Sequence, residues 1–167
     1  MRYWLMKSEP DVFSVDDLAD RPNRTEPWTG VRNYQARNFM RDEMKVGDLA
    51  FFYHSSCPQP GIVGIVRIAR LAYPDPTQFD PASEYYDPKA TRHSPRWYNV
   101  DVTLVEKTRL ISLQELRSHR ALRSMQVLRR GNRLSITPVS EREWDLVQGL
   151  VRRRAQGFSE HSPEIKR

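Results

Sequence analysis

Apolar and polar positions alternate in short blocks along this chain, and their spacing predicts an interleaved set of strands and helices. Tyr3, Trp4, Leu5 and Met6 read as a first strand. Ser14 and Asp17 have capping-box spacing ahead of a short helix that carries Val15 and Leu18. Residues 21–27, with two prolines, read as a loop leading to Trp28. Tyr34, Ala36, Phe39, Met40 and Met44 then recur at intervals that suit a helix buried on one side. Residues 49–53 form an unbroken apolar run, expected of a strand covered on both faces. Residues 61–71 are rich in β-formers, and the glycines there allow bending. Residues 97–105 alternate and read as a further strand. Ser112 begins a capped helix, residues 132–139 a last short strand, and Ser140 with Glu143 a final capped helix. Between Pro74 and Arg96 lie five prolines, and a loop of that length inside a compact domain is often functional. The irregular alternation of strands and helices, without βαβ spacing, predicts an α+β fold around a curved or closed sheet.

At 167 residues the chain is expected to form one domain over residues 1–154, followed by a flexible polar tail over 155–167. No apolar run approaches the ~20 residues of a membrane span. The start of the chain turns polar too soon for a signal peptide. A single cysteine, Cys57, excludes an internal disulfide and suits a reducing compartment, so the protein is expected in the cytoplasm. The net charge of +6 is uneven: residues 1–116 hold 15 basic and 16 acidic side chains, residues 117–167 hold 12 and 5. That excess, mostly arginine, suits a polyanion such as nucleic acid, and equally suits plain solubility.

Candidate chemistry centres on residues 28–38, which combine Trp28, Arg32, Asn33, Tyr34, Gln35, Arg37 and Asn38. Aromatic faces stack on bases, amides read base edges, and arginines hold phosphates. Trp28 and Trp97 are candidate walls of a base pocket, or else core residues closing the end of the sheet. Ser8 at the end of the first strand offers a hydroxyl to a base edge, or a turn bond before Pro10. Asn33 offers donor and acceptor together, or caps the following helix. Tyr34 either stacks on a ligand or packs inward. Tyr53 and His54 end a strand and are expected at the sheet rim. Arg32, Lys7 and Arg37 are candidates for phosphate contacts, Arg32 alternatively for bracing the pocket. Trp4 and Trp144 fall within apolar patterns and are expected in the core.

A catalytic reading has less support. His54, Ser55, Ser56 and Cys57 are adjacent, but consecutive strand residues point to opposite faces. No nucleophile elbow, metal-ligand spacing, Walker A or dinucleotide fingerprint accompanies them, and no cofactor or metal is expected. Asp48 or Asp75 would serve a base-processing enzyme as general base, and each also suits a turn carboxylate.

Ordered blocks across residues 2–150 resemble the EVE domain family. They include residues 4–10 (Trp4 to Pro10), 28–38, 51–55, 60–64, 72–75, 86–88, 95–97 and 134–138. The stretch from Arg117 to Arg133 departs from the family pattern in being shorter and richer in arginine. The resemblance implies a PUA-like fold, a small mixed β-barrel flanked by helices and related to the YTH domains that read methylated adenine in RNA. It also implies binding of modified bases in DNA or RNA without catalysis. The expected function is therefore a non-catalytic module that captures an extruded, modified base in an aromatic pocket. The competing classes are a base-processing enzyme and a small-molecule or protein-interaction domain.

Overall fold

The computed structural model describes residues 1–160, with side chains through residue 152. Six strands form one sheet: β1 (Tyr3–Ser8), β2 (Thr25–Pro27), β3 (Leu49–His54), β4 (Gly61–Pro74), β5 (Tyr98–Ser112) and β6 (Ile136–Val139). Their spatial order is β2-β5-β4-β3-β1-β6, with β1 and β3 parallel and the other neighbours antiparallel. Four helices flank it: α1 (Val15–Ala19), α2 (Tyr34–Asn38), α3 (Leu113–Ser118) and α4 (Glu141–Glu160).

The unbroken apolar runs are explained by burial on both faces. Along β1, Trp4 and Met6 join one core cluster and Leu5 the other; along β3, Ala50 and Phe52 oppose Phe51 and Tyr53. Val15 and Leu18 of α1 with Ala36 of α2 complete the first cluster. Leu116 of α3 with Trp144 and Val147 of α4 complete the second, where Phe51 and Trp144 stack at 4.0 Å. Each large apolar side chain removed from water in this way contributes about 1.5–3 kcal/mol.

This two-sided core corrects the expected barrel. A closed barrel has one interior, whereas this sheet is open and carries a separate apolar layer on each side. β2 and β6, three and four residues long, are its edges. Pro27 in β2 and Pro138 in β6 each remove a ladder donor, which suits an edge. The α+β class stands. Four register shifts between β4 and β5 coil those long strands.

Local signals mostly hold. Ser14 caps α1 through a capping box with Asp17, Ser112 caps α3, and Ser140 accepts the Glu143 N–H. The helix expected after Asn33 divides into α2 and a π-helical turn at Phe39–Glu43. The loop expected before Trp28 contains the edge strand β2, too short to show a period. The strand at residues 97–105 begins one residue later and extends to Ser112. The tail expected from residue 155 overlaps the end of α4, and residues 161–167 lie outside the described residues.

Candidate functional site

Between β2 and α2 the chain must cross the end of the sheet, and residues 28–33 do so under the control of one carboxylate. Asp75, fully buried, accepts the Gly30 N–H at 3.2 Å and an Arg32 Nη1 hydrogen at 3.1 Å through Oδ2. Its Oδ1 accepts from the Thr77 backbone at 2.8 Å and the Thr77 hydroxyl at 2.6 Å. The Asn99 amide, turned so that nitrogen meets acceptors, donates to the Trp28 carbonyl at 3.0 Å and to Asp75 Oδ2 at 3.3 Å. Gly30 has φ +87°, and a Cβ there would meet the Tyr85 ring at 2.7 Å, so only glycine lets that ring close over the loop.

The result is an open cleft of about 530 Å³ beneath the loop. Trp28, Phe13, Val31 and Tyr85 contribute apolar surface; Lys7, Ser8, Glu9, Asn33 and Ser135 contribute polar groups. The expected residues Ser8, Lys7, Trp28, Arg32 and Asn33 are thus brought together from β1 and the 28–33 loop. Trp28 is 7% exposed and meets Phe52 edge-on at 5.4 Å, so it belongs to the core and to the cleft wall at once. The Ser8 hydroxyl donates to the Phe13 carbonyl at 2.6 Å, which leaves its oxygen able to act only as an acceptor. Asn33 spends Oδ1 on capping α2 through the Ala36 N–H, leaving its amide nitrogen. Lys7 is half-buried, its Nζ 6.0 Å from the Tyr53 ring centre, and burial pulls its pKa below the ordinary 10.5.

The remaining candidates lie elsewhere. Trp97 does not line the cleft: it is 6% exposed, donates Nε1 to Asp87 at 2.8 Å, and stacks on Tyr34 at 4.9 Å. The expected pairing of Trp28 with Trp97 around a ligand is therefore corrected, because the long loop carries Trp97 behind Arg32. Tyr34, 51% exposed, forms the outer layer of that stack, with the Arg37 guanidinium 4.7 Å from its ring centre. Arg37 also donates to the Arg96 carbonyl and to Asn38. Tyr53 is buried in the core layer opposite Trp28.

Arg32 braces the site and is not placed for phosphate. Nε and Nη2 reach the Tyr85 carbonyl at 3.2 and 2.8 Å, Nη1 reaches Val31 O and Asp75, and Nη2 also reaches Thr77 Oγ1. All five guanidinium hydrogens are used, with Cζ 5.4 Å from both the Tyr85 and Trp97 ring centres. Sequence reasoning missed Tyr85, Asn99 and the organising role of Asp75. Only the length of the proline-rich loop hinted at Tyr85.

His54 Nε2 accepts the Val15 N–H at 3.1 Å, which anchors the first residue of α1. Burial lowers the imidazole pKa from 6.5, with Asp16 pulling weakly upward. The unfolded chain takes up this proton near 6.5 and the folded chain only at lower pH. Stability is therefore full above that value and falls as the pH drops below it. Urea midpoints measured from pH 8 to 5 should decline more steeply below 6.5 in the wild type than in His54→Gln; parallel profiles would refute the assignment.

Asp48 is equally committed, accepting from Trp4 Nε1, the Arg2 N–H and the Lys45 N–H. Both carboxylates are buried and spend their oxygens on holding the surrounding chain. Among the described residues no group of three or more metal-ligating side chains converges, and no helix is long and apolar enough to cross a membrane.

Residues 2–150 match the model of the EVE domain. Thymocyte nuclear protein 1 of Gallus gallus is 46% identical over 166 residues, spanning 89% of this chain and 68% of that protein. A crystal structure of a Pseudomonas putida protein shares 51% identity and superposes with a TM-score of 0.84, covering 89% of this chain and 98% of that one. Human THYN1 protein, solved in complex with DNA containing 5-methylcytosine, shares 45% identity with a TM-score of 0.86 over 91% of this chain and 98% of that one. The nuclear name of the thymocyte relatives overturns the expectation of a cytoplasmic protein. A lone cysteine indicates a reducing compartment, and the nucleus is as reducing as the cytoplasm.

Proposed function

The chain belongs to the EVE domain family, and we propose that it binds nucleic acid by taking one unstacked, modified base into the cleft beside Trp28. Trp28 and Tyr85 form the flat walls, while Ser8 and Asn33 satisfy the polar edge of the base. The observation that carries this reading is a cleft of about 530 Å³ combining aromatic walls with a few polar groups, a size and lining suited to one small planar ligand. The human relative bound to DNA containing 5-methylcytosine supports a nucleic-acid ligand. We read the coiled sheet as a PUA-like scaffold left open between β2 and β6.

The domain acts as a reader, without a reaction of its own. Supporting this, the carboxylates of Asp48 and Asp75 and the Nε2 of His54 are all engaged in holding the backbone. Unpairing an ordinary base costs a few kcal/mol, so modified, damaged or single-stranded bases are favoured. Burying one methyl group adds about 0.8 kcal/mol, or roughly a fourfold preference over the unmodified base.

The test is fluorescence anisotropy with single-stranded oligonucleotides carrying cytosine or 5-methylcytosine at one position. The methylated strand should bind about fourfold tighter. Tyr85→Ala should weaken both by roughly tenfold, within the ~1–3 kcal/mol typical of one stacked base. Mass spectra of the strands after prolonged incubation should be unchanged. Equal affinity of wild type and Tyr85→Ala would sink the pocket, and a new mass would replace the reader with a base-processing enzyme.

A further inference from the structure

The cleft has aromatic and polar surface but little charge to spare for a phosphate. Arg32 is paired with Asp75 and Arg21 with Glu26, and Lys7 shares the lining with Glu9. A nucleotide held there brings a negatively charged backbone, so cations beside the cleft must meet it. The chain supplies them immediately upstream of Ser135. Ser135 lines the cleft and its carbonyl accepts the Lys7 N–H at 2.8 Å. Arg133 precedes it by two residues, no more than about 7 Å of extended chain.

Arg133 belongs to a tight turn that also presents Arg129 and Arg130, and all three are exposed. The turn is held from within. The Asn132 N–H donates to the Arg129 carbonyl at 3.2 Å, Asn132 Nδ2 to the Gln126 carbonyl at 2.7 Å, and the Leu134 N–H to Asn132 Oδ1 at 2.9 Å. Gly131, at φ +74°, supplies the left-handed residue that lets the chain reverse. Val127 fastens the upstream end to the core. Among the described residues, none of the three guanidiniums has an ion pair, a side-chain hydrogen bond or a ring contact. Three unneutralised arginines on one pinned turn cost little in water and gain when a polyanion displaces their counterions.

We propose that the arginine turn at residues 129–133 is the phosphate-binding surface for the nucleic acid whose base enters the cleft. This rests on the base-capture reading above. The turn rounds the sheet edge at β6, running from Leu128 on one core layer to Ile136 on the other, and it enters the cleft lining at Ser135. A second arginine group does not share that position. Arg120, Arg123 and Arg142 line a separate hollow of about 360 Å³. It is anchored by Leu122 and Trp144 on the core layer opposite Trp28. The two groups carry equal charge in different places, which makes each the control for the other.

The experiment compares wild type, R129Q/R130Q/R133Q and R120Q/R123Q/R142Q in salt titrations with a single-stranded oligonucleotide carrying 5-methylcytosine. Thermal midpoints verify that each variant is folded. Log affinity should fall linearly with log salt, and the turn variant should flatten the slope by about 2, at roughly 0.7 per phosphate contact. Its preference for the methylated base should persist, because phosphate contacts position and base contacts specify. The far-face variant should keep the wild-type slope. An unchanged slope in the turn variant, or the same flattening in both, overturns the inference while the base pocket stands. No wild-type binding at all removes the base-capture reading and this inference with it.

Discussion

Replacing Asp75 with alanine is expected to lower the free energy of unfolding by about 3–5 kcal/mol, the usual cost of breaking a buried ion pair from one side. Five donors lose this acceptor at once: the Gly30 and Thr77 N–H groups, the Thr77 hydroxyl, Arg32 and the Asn99 amide. The Arg32 guanidinium, only 23% exposed, is left without its counter-charge. The loss should appear as a lower urea midpoint with an unchanged slope, which marks a change in stability and not in the denatured state. Because Arg32 also carries Tyr85, nucleic-acid affinity should fall even at temperatures where the variant is folded. Asp75→Asn keeps the shape and one acceptor and should fall between alanine and wild type. A loss below about 1 kcal/mol in Asp75→Ala would mean that the carboxylate does not organise the loop.

The second large effect is at Trp28. Its alanine variant should lose about 3–5 kcal/mol, as buried aromatic truncations do, because the indole packs against Phe52 within the core. That loss would confound any binding measurement, so the informative variant is Trp28→Phe. It retains an aromatic face and most of the buried area, and should cost at most about 1–3 kcal/mol. If Trp28 is a wall of the pocket, affinity for an oligonucleotide should drop in the folded phenylalanine variant, with the methyl preference reduced as well. Stability loss with unaltered binding would make Trp28 a core residue only.

The elements that were legible in the sequence are those whose signals lie within a few residues. The caps at Ser14, Ser112 and Ser140 are local hydrogen bonds between positions three apart. The double burial of β3 follows from its unbroken apolar run. Trp4 and Trp144 were expected in the core and lie there. That the sheet stays open was not legible, since closure depends on whether the first and last strands in the spatial order meet, and no local pattern encodes that. The same holds for the short edge strand β2, whose three residues cannot show a period.

The candidate site divides along the same line. Residue types alone pointed to the 28–33 loop, because aromatic, amide and guanidinium groups crowded together there. They could not show that Arg32 has every hydrogen committed, since its partners Asp75, Thr77 and Tyr85 are 43 to 53 residues away in sequence. Nor could they show that Trp97 lies behind Arg32 while Tyr85 closes the cleft.

By itself, the sequence determined the α+β class, the helix starts, the strands buried on both faces and the family to which the chain belongs. Each rests on short-range periodicity, capping or ordered blocks of residues. The tertiary structure alone decided that the sheet is open, which aromatics share the cleft, which arginine braces and which arginines stand free. Those outcomes depend on long-range pairing, in which a charge or ring takes its role from whatever partner the fold brings within a few ångströms.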